Sequence, residues 1–265
     1  MSPTQLPRVL ALGGLDPCGG AGIGADARTV HVCGGFALTV ATCLTVQNRH
    51  GFRELAPVAA RLLRDSFAAA LADGPLHAVK LGLLGTPETA AVVADLLRAP
   101  ALGGLPLVVD PVLAATAGGF APAAALVSAY RSQILPRALV VTPNGPELLA
   151  LAPERGAAEL LALGVRWVAL KDGHGEGAVV RDRLVGTKEE IEFAHPRLMR
   201  GPVHGTGCAF AAALATFLAL GMPVGEAFLA AGRLVAAGLA LTPVAQDGRP
   251  EPLRLPLTAP RTDRG

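Results

Sequence analysis

The feature that most constrains this 265-residue chain is the alternation of two kinds of apolar segment. Short runs rich in β-branched residues alternate with Ala- and Leu-rich runs of helical length, as in folds whose crossover helices cover both faces of a parallel sheet. The pattern predicts strands at residues 9–12, 36–44, 78–81, 107–110, 138–142 and 167–171, and helices at 25–32, 58–72, 87–98, 122–130, 147–152, 209–219 and 224–241. We therefore expect an α/β fold with a central, mostly parallel sheet and helices on both faces.

Two later segments depart from this alternation. Residues 178–193 are more polar and carry Gly186 near their middle, which predicts a small antiparallel addition at the sheet edge. From residue 243 onward Pro, Arg, Asp and Gly dominate, and this composition favours a loosely ordered tail over residues 243–265. Residues 1–242 are accordingly expected to form one domain.

Composition argues against several classes of function. The formal net charge is only +2 and no run of Lys or Arg is present, so a nucleic-acid partner is not expected. The start of the chain lacks the pattern of a signal peptide, and the apolar run 209–220 is shorter than the ~20 residues that span a bilayer, so a membrane partner is not expected either. The four cysteines lack CxxC spacing, which argues against a zinc site and favours the reducing cytoplasm.

Polar residues directly after each strand are the first candidates for ligand binding, because ligands of open α/β sheets lie beyond the carboxyl ends of the strands. The first strand runs into a glycine-rich loop, residues 13–26, that contains Asp16. Its glycines allow close backbone approach to a ligand, although a flexible strand-to-helix turn would use them as well. Gln47 and Asn48 follow the second strand, and their amides suit the ring nitrogens of a heterocycle, although solvated loop amides are common.

Two carboxylates predict a magnesium site. Asp110 ends an apolar strand, where packing alone explains a charge poorly. Glu147 follows the next strand together with Asn144, and this carboxylate is placed to share the metal while Asn144 contacts phosphate. An ordinary helix N-cap with an acidic first turn is the competing interpretation of Asn144 and Glu147.

The strongest local signal lies near residue 205. Gly205, Thr206 and Gly207 directly precede the apolar helix at 209–219 and would expose successive N–H groups at its positive end, which predicts an anion hole for a transferring phosphoryl group. Cys208 lies in the first turn, where the helix end and nearby cations lower a thiol pKa from about 8.5 toward neutrality, so it is a candidate proton acceptor. A small buried packing residue is the alternative. Lys171 and Gly173, after a further strand, are expected near nucleotide phosphates.

Six ordered motifs carry a family resemblance over most of the chain up to about residue 241. They are the run Asp16-Pro17-Cys18-Gly19-Gly20-Ala21-Gly22-Ile23, Thr45-Val46-Gln47-Asn48, the run from Lys80 to Gly85, Asp110-Pro111-Val112, Thr142-Pro143-Asn144 with Glu147, and the run from Gly205 to Cys208. Together they resemble the hydroxymethylpyrimidine and phosphomethylpyrimidine kinases of thiamin synthesis, which have a ribokinase-like fold.

The resemblance implies an enzyme that transfers the γ-phosphoryl group of ATP, with Mg²⁺, to a small pyrimidine alcohol and then to its monophosphate. It places Gln47 on the aminopyrimidine and encloses that ring with the loop from Asp16 to Gly22. It assigns Asp110 and Glu147 to Mg²⁺, Lys171 to phosphates and Cys208 to the base position. Leu83, where the family has a pocket methionine, and Val112 are expected to line the substrate pocket. A homodimer is the assembly that the family suggests.

One departure from the family pattern leaves alternatives open. Residues 115–118, with Thr116, stand where the family has a Lys-Ser-Gly segment that meets phosphate, so one cation is missing. A pyridoxal or pyridoxine kinase of the same fold is one alternative, although Cys208 and Gln47 favour the pyrimidine. A binding module that has lost catalysis is the other.

Overall fold

The computed structural model describes residues 6–113, 124–173, 177–198 and 201–256. The strands are β1 Arg8–Leu15, β2 Phe36–Asn48, β3 Gly51–Pro57, β4 Ala78–Leu81, β5 Leu107–Val109, β6 Val140–Val141, β7 Trp167–Leu170, β8 Val179–Val185, β9 Glu190–Pro196, β10 Val203–His204 and β11 Glu251–Pro252. The α-helices are α1 Gly22–Val32, α2 Ala60–Ala72, α3 Pro87–Leu96, α4 Ala124–Ala129, α5 Gly145–Leu151, α6 Ala157–Ala162, α7 Thr206–Ala219 and α8 Val224–Leu241.

Nine strands form the central sheet, in the order β3-β2-β1-β4-β5-β6-β7-β8-β9. The strands from β2 to β7 in this order pair in parallel, whereas β3 at one edge and β8 and β9 at the other pair antiparallel. The predicted α/β class and the antiparallel addition after β7 are confirmed. Because the parallel strands share a direction, their carboxyl ends, and the loops that follow them, meet at one edge of the molecule.

The two faces of the sheet pack into separate apolar cores, because successive strand side chains point to opposite faces. Helices α2 to α6 cover one face, where Leu10 and Val109 lie in the core. Helices α1, α7 and α8 cover the other face, where Val9 and Val108 are buried. Alanine dominates the buried side of α7, which allows that helix to approach the sheet closely.

Two parts of the sequence prediction are corrected. Strand β2 was expected to end at residue 44 but continues to Asn48, and β3 folds back on it to form a second antiparallel edge. Residues 243–256 also differ from the expected loose tail, since β11 pairs with β10 and Leu253 is buried. The composition of residues 243–256 did not predict their ordered structure, because that structure depends on backbone hydrogen bonds to residues far away in the sequence. Residues 257–265 lie outside the described part of the chain.

Helix α8 is long and apolar enough, by length and composition, to cross a membrane. Its buried face, which includes Phe228 and Leu234, packs into the core beside α7. Glu226 and Arg233 lie on its exposed side. These contacts are those of a helix that covers a sheet face.

Candidate active site

A cavity of about 740 Å³ opens at the carboxyl ends of the parallel strands. Every predicted site residue except Gly19, Gly20 and Asn48 lines it, namely Asp16, Ala21, Gly22, Gln47, Leu83, Asp110, Val112, Asn144, Glu147, Lys171, Gly173, Gly205, Thr206, Gly207 and Cys208. Residues that follow several different strands therefore lie on one continuous surface, as the sequence analysis expected.

The glycine-rich loop between β1 and α1 is shaped by Asp16. One Asp16 oxygen accepts from the Cys18 N–H and the other from the Ala21 N–H, both at 2.9 Å. His204 Nε2 lies 3.0 Å from the Asp16 carboxylate. Burial opposes ionisation of Asp16, but these hydrogen bonds outweigh burial and hold its pKa below the ordinary value. Asp16 is thus an organiser of the loop.

His204 contacts the glycine-rich loop through Asp16, and the sequence analysis did not predict this contact. It ends β10, directly before Gly205, and its ring occupies the space beside Gly20, where an added Cβ would lie 2.5 Å from it. No local pattern links residues 16 and 204, because their contact forms only when the loop after β1 meets the segment before α7.

Gln47 lies near the end of β2, in the β2–β3 hairpin that forms one wall of the cavity. Phe52 and Leu55 of β3 line the same wall, and Leu83 lies beside Gly14 at the cavity floor. This wall combines one amide with apolar surfaces. Such a surface suits a small, flat heterocycle that needs few hydrogen bonds for orientation.

The hairpin is connected to the C-terminal segment through Arg49. Its guanidinium donates to the Pro250 carbonyl at 3.1 Å and forms ion pairs with Asp247 at 3.1 Å and Glu251 at 2.7 Å. The segment it contacts continues as β11, which pairs with β10 directly ahead of Gly205. One polypeptide segment therefore links the wall with Gln47 to the start of α7.

The N-terminus of α7 lies at the cavity, at the place where the sequence predicts an anion hole. Gly205 is left-handed with φ 87°, and its Cα lies so close to the glycine-rich loop that a Cβ would be 1.9 Å from the Gly20 carbonyl oxygen. Only glycine fits there. The Cα of Gly207 faces Lys171, since a Cβ would lie 3.2 Å from its Nζ. The positive helix end and a lysine ammonium thus converge on one place.

Asp110 lies directly below this convergence and is 3% exposed. Its carboxylate accepts from Thr142 at 3.1 Å and from Lys171 at 3.4 Å. Burial opposes ionisation, but the charges of Lys171 and Lys80 outweigh it and hold the pKa of Asp110 below its ordinary value. Asp110 is therefore a carboxylate at neutral pH.

Glu147 differs from Asp110. Burial and the charge of Asp110 raise its pKa to about 7. It forms a capping box with Asn144, in which the Glu147 carboxylate accepts from the Asn144 N–H and the Asn144 side chain accepts from the Glu147 N–H. The N-cap alternative from the sequence is thus present, and it also holds the carboxylate at the cavity wall.

The donor set fits Mg²⁺. No group of three or more His, Cys, Asp or Glu side chains suited to a metal occurs in the described ranges. Mg²⁺ in nucleotide sites usually takes one or two protein carboxylates, with waters and substrate phosphates completing six ligands. Asp110 and Glu147 provide two buried carboxylates that repel each other, and a divalent cation would relieve that repulsion. The cation would require phosphate oxygens as further ligands.

The expectation for the Cys208 thiol is wrong in one respect. Burial raises its pKa to about 12, and the nearby positive charge of Lys80 does not offset this. The thiol is therefore protonated at neutral pH in the free protein. The sequence showed the helix end and the cations but not the depth at which the first turn of α7 is packed.

Lys80 and Asp26 form a buried ion pair that the sequence analysis missed. Lys80 Nζ lies 2.9 Å from Asp26 Oδ2, and the two side chains are 1% and 0% exposed. The sequence signal that could have indicated the pair is a lysine at an inward position of a four-residue strand, together with an aspartate on α1.

Arg197 is another site residue that was missed. Its guanidinium donates to the carbonyls of Asp172, Gly173 and Gly177, at 2.9 to 3.1 Å, and also pairs with the Asp172 carboxylate. It therefore holds the backbone that follows Lys171. Residues 115–118, where the family cation is replaced, and residues 174–176 lie outside the described residues.

The fold and this site together define a kinase that phosphorylates a small molecule. The family model for phosphomethylpyrimidine kinase matches residues 16–249, which extends past the predicted domain end at residue 242. The chain is 36% identical over 242 residues to hydroxymethylpyrimidine/phosphomethylpyrimidine kinase of Streptomyces coelicolor, covering 88% of each chain. The chain belongs to the phosphomethylpyrimidine kinase family, and the resemblance inferred from the six motifs is confirmed.

Other relatives are longer than this chain. It is 36% identical to the thiamine biosynthesis bifunctional protein ThiED of Geobacter sulfurreducens, covering 91% of this chain but 50% of that protein. The chain thus spans about half the length of that relative.

Solved structures agree with the fold. A phosphomethylpyrimidine kinase from Clostridium difficile has a TM-score of 0.76 at 27% identity, covering 88% of this chain and 99% of that one. The ADP complex of Bacillus subtilis pyridoxal kinase has a TM-score of 0.84 at 25% identity, covering 93% and 97%. The fold is therefore shared with a phosphomethylpyrimidine kinase and with a pyridoxal kinase.

Proposed function

We propose that this protein transfers the γ-phosphoryl group of ATP to the hydroxymethyl group of 4-amino-5-hydroxymethyl-2-methylpyrimidine, to the resulting monophosphate, or to both. The observation that carries the proposal is the convergence of the α7 N-terminus and Lys171 next to Asp110, in a cavity whose opposite wall carries Gln47. One end of this cavity suits a transferring phosphoryl group, and the other suits a flat aminopyrimidine.

Each part of the site has a separate task. The N–H groups of Gly205, Thr206 and Gly207 would hold the equatorial oxygens of the transferring group, which is the main requirement in phosphoryl transfer. Lys171 and Asn144 would contact the nucleotide phosphates, with Gly173 close to them. On the opposite wall, Gln47 would orient the aminopyrimidine between the apolar surfaces of Leu83 and Val112, and the loop from Asp16 to Gly22 would enclose it.

Asp110 and Glu147 are the proposed Mg²⁺ ligands. When bound with the nucleotide, the ion would neutralise charge on the phosphate oxygens. The pKa of about 7 for Glu147 implies that this side chain is only partly ionised at neutral pH before a cation arrives. Mg²⁺ binding is therefore expected to release protons and to strengthen as pH rises through 7.

Cys208 is the proposed proton acceptor for the substrate hydroxyl. Because the free thiol is protonated at neutral pH, this role requires its pKa to fall when substrate and nucleotide are bound. The Cys208→Ser variant tests the role. An unchanged turnover rate would show that Cys208 is a packing residue.

The function is tested by incubating purified protein with ATP, Mg²⁺ and the pyrimidine alcohol or its monophosphate, and following ADP release and product mass. Phosphorylation of either compound supports the proposal. If neither compound is phosphorylated while ADP and Mg²⁺ still bind, the protein would be a binding module without this catalysis.

Pyridoxal or pyridoxine kinase activity is the second candidate, because the Bacillus subtilis pyridoxal kinase has the same fold over nearly the whole chain. The same assay with pyridoxal and pyridoxine compares the substrates directly. A higher kcat/KM for pyridoxal than for the pyrimidine would reverse the preferred order.

A cytoplasmic homodimer is proposed as the working form. Leu44 and Val46 of β2 and Phe36 at its start are exposed apolar side chains on the edge region of the sheet. A second copy would remove such a surface from water. Sedimentation equilibrium of the purified chain distinguishes a dimer from a monomer.

A further inference from the structure

His204 lies directly behind the wall of the cavity. Its chain neighbours Val203 and Gly205 line the cavity, and so does its partner Asp16, whereas the His204 side chain is not part of the lining. That side chain is 18% exposed. A residue in this position can influence the reaction only through the groups that it holds.

The Asp16 carboxylate is the point at which His204 meets the glycine-rich loop. It accepts three hydrogen bonds, from the backbone N–H groups of Cys18 and Ala21 at 2.9 Å and from His204 Nε2 at 3.0 Å. An ionised carboxylate only accepts, so Nε2 is the nitrogen that carries the hydrogen and donates it. The Asp16 side chain is 1% exposed, and removal of the His204 donor would leave this buried charge with fewer partners.

The residue after His204 makes a second contact with the same loop. Gly205 approaches the loop so closely that a Cβ on it would lie 1.9 Å from the Gly20 carbonyl oxygen. The His204 ring fills the space beside Gly20 itself, where a Cβ would lie 2.5 Å from ring carbon Cδ2. Two consecutive residues thus meet the loop, one through its side chain and one through its backbone. The loop and the start of α7 therefore share a tightly packed contact.

The other side of the loop reaches the wall of the cavity that carries Gln47. The Cys18 thiol donates to the Gln47 carbonyl at 3.4 Å, and the Thr45 hydroxyl donates to the Leu15 carbonyl, at the end of β1, at 2.9 Å. The loop thus lies between the wall proposed for the pyrimidine and the helix end proposed for the phosphoryl group. A shift of the loop would change the distance between these two parts of the site.

The backbone of His204 is held independently of its side chain. Its carbonyl accepts from the Leu253 N–H at 3.0 Å, and in the pairing of β10 with β11 it lies opposite Pro252. Substitution of the ring therefore removes the bond to the loop while the backbone ahead of α7 keeps its own support. This separation makes the contribution of the ring measurable.

We propose that His204 is a positioning residue that holds the loop from Asp16 to Gly22 against the start of α7, and thereby sets the distance between the substrate hydroxyl and the transferring phosphoryl group. This inference rests on the proposed function. Turnover is sensitive to such a distance, because a displacement of about 1 Å lowers the rate by about 10²-fold. The nucleotide contacts proposed for Lys171 and Asn144 come from other loops, so they should not depend on His204.

The first test compares two substitutions of His204. His204→Gln keeps an N–H donor at a similar distance from the backbone, whereas His204→Leu has similar bulk and no donor. His204→Leu should lower kcat by about 10²-fold and change KM for ATP by less than about twofold, because the groups are misplaced while the nucleotide still binds. His204→Gln should recover most of the lost kcat. A role in packing alone would give the two variants the same kcat.

His77→Leu is the matched control. His77 is also a half-buried histidine with one hydrogen bond, in which its Nδ1 accepts from the Arg8 N–H at 3.0 Å. It directly precedes β4 and so lies at the opposite end of the parallel strands from the cavity. His77→Leu should leave kcat and KM for ATP unchanged.

The second test does not depend on turnover. Hydrogen exchange followed by mass spectrometry should show a peptide covering residues 16–22 exchanging about tenfold faster in His204→Leu than in wild type, because the loop loses a hydrogen bond to a charged group. A peptide from α2, residues 60–72, should exchange at the wild-type rate and serves as the internal control. His204→Asn, whose amide is too short to reach Asp16, repeats both tests with a polar side chain and should behave like His204→Leu.

Wild-type kcat in His204→Leu or His204→Asn would overturn the proposal, as would equal losses of kcat in His204→Leu and His204→Gln. Unchanged exchange of residues 16–22 in the variants would also contradict it. If the wild-type chain phosphorylates no pyrimidine, the proposed function fails. The exchange comparison still decides whether His204 holds the loop.

Discussion

Replacing Gly205 with alanine adds only one methyl group but should lower both the stability of the protein and its kcat/KM. Gly205 is left-handed with φ 87°, a conformation that costs a residue with a Cβ about 1–2 kcal/mol. The new Cβ would also lie 1.9 Å from the Gly20 carbonyl oxygen, so the loop or the helix start must move by more than 1 Å. Forced overpacking of this kind costs about 1–3 kcal/mol more. The expected total is about 2–5 kcal/mol of unfolding free energy.

Gly34 provides a matched control. It has nearly the same conformation, φ 85°, but lies at the exposed end of α1, and an added Cβ would meet nothing within 4 Å. Gly34→Ala should therefore show only the backbone cost of about 1–2 kcal/mol and leave turnover unchanged. Gly205→Ala should in addition lower kcat/KM by about 10²-fold, because a 1 Å displacement of positioning groups has an effect of that size.

The measurements are urea unfolding followed by circular dichroism, and initial rates from a coupled assay for ADP with saturating ATP. Equal losses of stability in the two variants, together with wild-type turnover of Gly205→Ala, would refute the reasoning. That result would mean that the contact between the Gly20 carbonyl and the start of α7 is loose, so the anion hole does not depend on it.

Three further outcomes follow from the site. Asp16→Asn should lower the free energy of unfolding by about 1–3 kcal/mol at pH 7, because buried donors lose a charged acceptor. The pKa of Asp16 is lowered in the folded state, so its contribution to stability is present above the unfolded pKa and is lost as pH falls through the folded value. In urea titrations, the difference in unfolding free energy between wild type and Asp16→Asn should therefore shrink below about pH 4. Arg49→Ala should raise KM for the pyrimidine severalfold, because the ion pairs of Arg49 hold the β2–β3 hairpin that carries Gln47. It should lower the free energy of unfolding by less than about 1 kcal/mol, because those pairs are exposed. Arg61→Ala, which breaks an exposed pair elsewhere, should change neither quantity. Arg197→Lys should raise KM for ATP about tenfold or more by loosening the loop after β7, whereas Arg183→Lys on exposed β8 should leave it unchanged. Equal KM values for the two variants would show that Arg197 does not contribute to ATP binding.

Much of the fold was accessible from the sequence because it depends on local periodicity. Short β-branched runs and Ala-rich helical runs have different repeats, and their alternation restricts the topology to a layered α/β sheet. The rule that ligands bind beyond strand ends then selected Asp110, Lys171 and the segment before α7 as one site. These three elements are far apart in sequence, and the structure brings them into contact.

The parts that sequence reasoning missed all depend on partners at long range. The pairs Asp16–His204 and Lys80–Asp26 join residues 188 and 54 positions apart, and neither pair leaves a local repeat. The ordered tail has the same origin, since β11 is stabilised by pairing with β10 rather than by its composition. Expectations from residue type alone cannot include such contacts.

The sequence by itself determined which chemical groups this protein can use and at which end of the sheet they lie, because both follow from residue identity and from where each apolar run stops. Only the tertiary structure decided how those groups are charged. Burial is a property of the packed molecule. It keeps the Cys208 thiol protonated and raises the pKa of Glu147 to about 7, whereas at Asp110 the charges of Lys171 and Lys80 outweigh burial and keep the carboxylate ionised. Desolvation and the distances between charges are set when α1 and α7 close over the sheet, which no single segment specifies.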